Sequence, residues 1–138
     1  MVQLKDILSL SPMNLFPGSV LLGPMPGVDH LKFYIVAGVS GDKLCVCSVA
    51  INSQINQFIQ KRPHLLERQF EISDKKYSFL SHLSYVNCAQ PIKLKASLLS
   101  GNEFSLVGVL EEGDLSEIRT QIVASGMLTE EEIEMFFS

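Results

Sequence analysis

The chain contains no tryptophan, only three cysteines, and no apolar run near the roughly 20 residues a membrane-spanning helix needs. Three cysteines are too few, and odd in number, for a disulfide framework, so a reducing cytoplasm is the expected compartment. The first residues show no basic-then-apolar signal pattern, and no membrane partner is expected. Charge is scarce as well. Only 19% of residues are charged and mean hydropathy is positive, which excludes a disordered chain. A basic excess is missing too: 11 Lys and Arg stand against 15 Asp and Glu, and the net −4 argues against wholesale wrapping of nucleic acid. No G-x-S-x-G, P-loop, H-E-x-x-H or G-x-G-x-x-G occurs, so the common hydrolase, NTPase, zincin and dinucleotide readings lose their entry points. Cys45-Val46-Cys47 is too tightly spaced for a zinc knuckle, and Cys88 with distant histidines gives no ligand spacing. Neither a metal nor a cofactor is expected.

What is present is enough chain, 138 residues, for one domain with a sizeable core, or one domain with an appendage. The net charge hides an asymmetry. Residues 1–60 are neutral, residues 61–102 carry +4, and residues 103–138 carry −8 with Arg119 as their single base. That shift marks a composition boundary, so residues 1–110 are expected to form a core domain and 111–138 an acidic helical element.

Local patterns suggest mainly β structure. Residues 1–17 read as a lead-in with one helical turn at most, and residues 19–23 as a short strand before a loop containing Pro24 and Pro26. Residues 32–38 (KFYIVAG) and 43–51 (KLCVCSVAI) form a hairpin about Ser40-Gly41-Asp42, with Cys45 and Cys47 facing the core. Ile55, Phe58 and Ile59 fall on one helical face with Ser53 as N-cap, and Pro63 interrupts that helix before Leu65-Leu66. Residues 69–72, 77–80, 85–88, 92–94 and 104–110 read as short extended pieces, the last following a turn at Ser100-Gly101-Asn102. Asp114 with Glu117, and Thr129 with Glu132, suggest capping boxes for two helices separated by Gly126. Leu115, Ile118, Ile122 and Val123 would line one face of the first. The expected architecture is a small, partly open β-barrel with an inserted short helix and a C-terminal helical pair.

Two histidines stand where chemistry is conceivable. His30 precedes a strand and reads as a general base or phosphate contact, or more plainly as a turn residue bonded to Asp29. His82 lies in Ser81-His82-Leu83-Ser84-Tyr85, a cluster suited to phosphate binding or proton transfer, or more plainly a turn with Tyr85 packed inward. His64 beside Lys61-Arg62 reads as a solvated face. The basic stretch from Lys61-Arg62 to Lys75-Lys76 could track a phosphate backbone. The acids of residues 130–132 suit a helix first turn, or else an acidic cover for a basic groove.

Pro17-Gly18-Ser19-Val20-Leu21, the run His30 to Val36, Leu44 to Cys47 with the polar exit Asn52-Ser53-Gln54, and Phe79 followed by Ser84-Tyr85-Val86 together resemble the PemK/MazF-like family over about residues 17–110. The resemblance implies an SH3-like barrel and a bacterial toxin–antitoxin role. It also implies metal-independent cleavage of RNA, an antitoxin or other protein partner, and a homodimer. RNA-cutting members place an Arg on the second strand and a Thr or Ser after the third. Here Leu31-Lys32 replaces their Arg-Pro pair, and Lys32 brings charge without a bidentate fork. Carried onto this chain, the resemblance implies Lys32 as phosphate cation, His30 as acid or base and Ser53 as hydroxyl, with Asn52, Arg62, His82, Ser84 and Tyr85 binding. The alternative is a non-catalytic protein–protein interaction module that uses the barrel groove and the Phe136-Phe137 tail.

Overall fold

The computed structural model describes residues 15–25, 27–99 and 103–138. The expected helical turn in the lead-in, Pro26 and the Ser100-Gly101-Asn102 turn lie outside the described residues. Seven strands form one antiparallel sheet: β1 (Ser19–Gly23), β2 (Lys32–Val39), β3 (Cys45–Asn52), β4 (Gln69–Ile72), β5 (Ser84–Asn87), β6 (Ile92–Lys95) and β7 (Ser105–Val109). Their order is β4-β5-β3-β2-β1-β7, with β6 beside β3. The sheet does not close into a barrel, and β4 and β7 form its two ends. Among the described residues, five helices decorate it: α1 (Gln57–Gln60), α2 (Pro63–Leu66), α3 (Ala96–Leu99), α4 (Glu112–Ala124) and α5 (Glu130–Phe137).

The β2–β3 hairpin forms where the β-branched and aromatic runs place it, and its turn at Ser40-Gly41-Asp42 extends through Lys43 and Leu44. Asp42 accepts from Ser40 Oγ (2.6 Å) and from Leu44 N (3.0 Å), and Lys43 takes the left-handed conformation at φ 63°. Alternation along the hairpin sends its side chains to two cores. Ile35, Ala37, Cys47, Val49 and Ile51 join the larger cluster on one face, with Cys45 packed against it. Val36 and Val46 join Leu15, Leu21, Ala96 and Leu99 on the other.

Three local expectations fail for identifiable reasons. Residues 77–80 are turns, not a strand, because Tyr77 and Leu80 plug the larger core from a loop. The helix after β3 is capped by Asn56, whose Oδ1 accepts from Ile59 N (2.9 Å), so Ser53 is no cap. Helix α4 begins at Glu112 without a side-chain cap, because Asp114 is engaged by Tyr77 and Lys76. Its buried stripe is Ile118 and Ile122 while Val123 is exposed. The Thr129–Glu132 capping box and the positive φ of Gly126 (73°) match expectation. Ile118, Ile122, Leu128 and Phe136 share the larger core with the sheet, so the composition boundary near residue 110 is not a break in the packing.

Candidate functional site

At the end of the hairpin away from its turn, β2 begins and β3 ends, so Lys32 and Asn52 come side by side from positions twenty residues apart in the chain. Lys32 Nζ donates to Asn52 Oδ1. Burial at this spot pulls the Lys32 pKa below the ordinary lysine value. Around the pair opens a cleft of about 390 Å³. Its polar lining gathers His30, Lys32, Asn52, Ser53, His82 and Ser84, over an apolar floor of Phe33, Ile51 and Leu80.

Both imidazoles are oriented through Nδ1. His30 Nδ1 lies 2.9 Å from Asp29 Oδ1, and since a carboxylate only accepts, that nitrogen carries the proton. The same bond holds the Asp29 carboxyl below its usual range. Both groups are open to solvent, so the contact orients the ring more than it stabilises the fold. His82 Nδ1 lies 3.2 Å from the Leu83 carbonyl. The tautomer that donates there keeps its lone pair on Nε2, the form a general base needs. Ser84, almost fully buried, donates Oγ–H to the His82 carbonyl (3.1 Å) and fixes the loop behind the ring.

Of the residues singled out in the sequence, Arg62 and Tyr85 fall outside the cleft. The Arg62 guanidinium stacks on the Phe58 ring (3.6 Å) and donates to the Phe58 carbonyl (2.8 Å), a local anchor for α1. Tyr85 pairs with Asn52 and Glu71 within the sheet, and the lining passes it by. His64 also lies away from it.

A second lobe of about 400 Å³ shares Lys32, Asn52 and Asn56 with the first. It extends over Met25, Val28, Tyr34, Ala50, Ile59, Asn87, Gln90 and Ile92. Sequence reasoning missed this lobe. The available signal was the alternation of β2 and β3, which places Lys32 and Tyr34 with Ala50 and Asn52 on one sheet face. Among the described residues, none after Leu99 lines either lobe.

Among the described residues no group of three His, Cys, Asp or Glu could hold a metal ion, and no helix is long and apolar enough to cross a membrane. The buried thiols of Cys47 and Cys88 are pushed up to about 11 and about 12, which suits core packing. In comparisons with known proteins, no family model matches the chain and no curated protein matches it significantly.

Proposed function

We propose that the chain is a toxin-type endoribonuclease of the PemK/MazF-like kind, its open sheet a relative of their SH3-like barrel, and that the Lys32 cleft cuts single-stranded RNA without a metal. The observation that supports this reading is convergence: two imidazoles, one ammonium and three hydroxyls come from segments around residues 30, 52 and 82 and line one cleft. These groups suffice for transphosphorylation. One histidine takes the proton from the ribose 2′-OH as it attacks phosphorus, and the other gives a proton to the departing 5′-oxygen. Lys32 faces the charge that builds on the phosphorane, and Ser53 donates to a phosphoryl oxygen. The products are a 2′,3′-cyclic phosphate and a 5′-hydroxyl.

The test is incubation of the purified protein with mixed single-stranded RNAs in chelator, with end-group analysis. Cleavage leaving cyclic phosphate is expected, and His82→Ala, His30→Ala and Lys32→Ala should each slow it by about 10²-fold or more. Absence of cleavage across diverse RNAs would overturn the reading. A second reading, a protein-binding module, draws on the end strand β7, where Leu106 and Val109 are more than half exposed. No cleavage, together with a stable protein complex that Leu106→Lys dissolves, would favour it. A homodimer across the same edge and an antitoxin seated in the cleft are the partners this assignment expects.

A further inference from the structure

The second lobe has a chemical bias that its hydrogen bonds dictate. Asn56 Oδ1 is held by the Ile59 backbone N–H, and Asn52 Oδ1 by the Lys32 ammonium. Both partners can only donate, so neither amide can be flipped. Asn87 Oδ1 accepts from Ala89 N (3.3 Å) and Gln69 Nε2 (2.9 Å). Its Nδ2 must therefore donate, and it does so to Gln90 Oε1 (2.7 Å). That bond in turn fixes the Gln90 amide. Asn52, Asn56 and Gln90 thus turn their oxygens to partners inside the protein, and their NH₂ donors are the groups left for a ligand. Apolar side chains of Met25, Val28, Ile59 and Ile92 and the Tyr34 ring complete the walls.

A ligand for this lobe presents acceptors to neutral donors and a flat apolar body to the walls. Phosphate fits poorly, because the single ammonium sits at the junction with the first lobe rather than within the second. We infer that the second lobe is a nucleobase pocket selecting keto bases, uracil or guanine, whose carbonyl edges accept from Asn52, Asn56 and Gln90, while Lys32 holds the adjoining phosphate at the mouth of the first lobe. Tyr34 supplies the complementary contact. Burial pushes its hydroxyl still further above the ordinary tyrosine value, and the neutral oxygen can accept the ring N–H that both keto bases carry. Adenine and cytosine carry an exocyclic amine where guanine and uracil carry a carbonyl, and that amine cannot accept from the donor that faces it.

This inference rests on the RNA reading, yet it is tested by binding and so fails separately. Short 2′-O-methyl oligonucleotides, which lack the attacking hydroxyl, serve as probes for the full chain: oligo-U, oligo-G-containing, oligo-A, oligo-C and an abasic backbone of equal charge. At about 0.15 M salt, uracil- and guanine-bearing probes should bind at least about tenfold tighter than the others. Gln90→Met removes a donor at constant charge, and Asn56→Asp keeps the helix cap while replacing the donor by an acceptor. Both should bring the U-to-A affinity ratio close to one, Asn56→Asp with unchanged thermal melting and Gln90→Met with a lowered one, since Asn87 Nδ2 loses its acceptor. Equal binding of all probes including the abasic one, a preference for adenine or cytosine, or a ratio that survives both variants would overturn the pocket. Cleavage without base preference would leave the RNA reading standing and remove this one.

Discussion

Polar contacts from β2 and from the Lys76–Tyr77 loop to the start and middle of α4 show how single residues hold the helical end in place. Between Val36 and Gly38 the register of β2 against β3 shifts, and Ala37 is the extra residue of that bulge. Its carbonyl accepts from Arg119 Nε (2.8 Å), so the single base of the acidic segment serves a buried backbone group that the ladder leaves over. Farther along the fold, Tyr77 donates to Asp114 Oδ2 (2.5 Å) and accepts from Glu111 N (3.0 Å), while Lys76 bridges Glu111 (2.6 Å) and Asp114 (2.9 Å). Burial works to raise the Asp114 carboxyl, but the Tyr77 hydroxyl and Lys76 outweigh it and hold the group below its ordinary 3.8. Below that value the unfolded chain binds a proton that the folded one refuses. The Asp114 contribution is therefore full above about pH 4 and disappears as pH falls through the lower folded value. Asp114→Asn should be less stable than wild type at pH 7 by about 1–2 kcal/mol, with the gap narrowing in acid. Urea midpoints measured across the acid range check this, and a gap that stays constant would refute it.

At the scale of elements, α5 packs against the backbone of β2 with no room for a side chain between them. A Cβ placed on Gly38 would collide with the Phe136 carbonyl oxygen and lie 2.9 Å from both Phe136 Cβ and Phe137 Cδ1. Gly38→Ala should therefore lift α5 from the sheet at a cost of about 1–3 kcal/mol, seen as a lower melting temperature and faster amide exchange in α5 than elsewhere. Unchanged exchange in α5 would show that the helix does not depend on this contact. Nothing local in KFYIVAG announces that role for its glycine. What is legible is what neighbouring residues decide among themselves: the β-branched runs of β2 and β3, and the Thr129–Glu132 box. What is not legible depends on distant partners. Asp114 has a capping spacing but is claimed by Tyr77 and Lys76, and residues 77–80 have strand composition but act as a plug. Helix α3 gives no sequence signal beyond four residues, and its Ala96 and Leu99 are held by the smaller core. The candidate site was half legible for the same reason. His30, Lys32, Ser53 and His82 stand out by side-chain chemistry, whereas the amide donors of the second lobe emerge only once Asn87, Gln90 and Asn56 are seen to share it.

Across the whole molecule, the +4 middle and −8 end are partly paired, through Lys76 with Glu111 and Asp114 and through Lys93 with Glu132. The acidic helices cannot be cut away to ask whether they mask a basic groove. Burial of Ile118, Ile122, Leu128 and Phe136 contributes roughly 6–12 kcal/mol, comparable to the whole stability of a domain this size. The question is better put by charge alone. Helix α5 meets β2 at Gly38, and Lys32 lies six residues farther along that strand, about 20 Å away at strand rise. That is more than two screening lengths at about 0.15 M salt, and neither cleft lobe takes a lining residue from the helical end. Glu130, Glu131 and Glu134 are exposed and stand outside the capping box, so replacing all three by Gln leaves the helix start intact. The triple variant should bind short oligonucleotides within about twofold of wild type at about 0.15 M salt, and diverge from it only as salt is lowered. A large gain at the higher salt would mean that α5 screens the cleft after all, and that the acidic end governs access to the site.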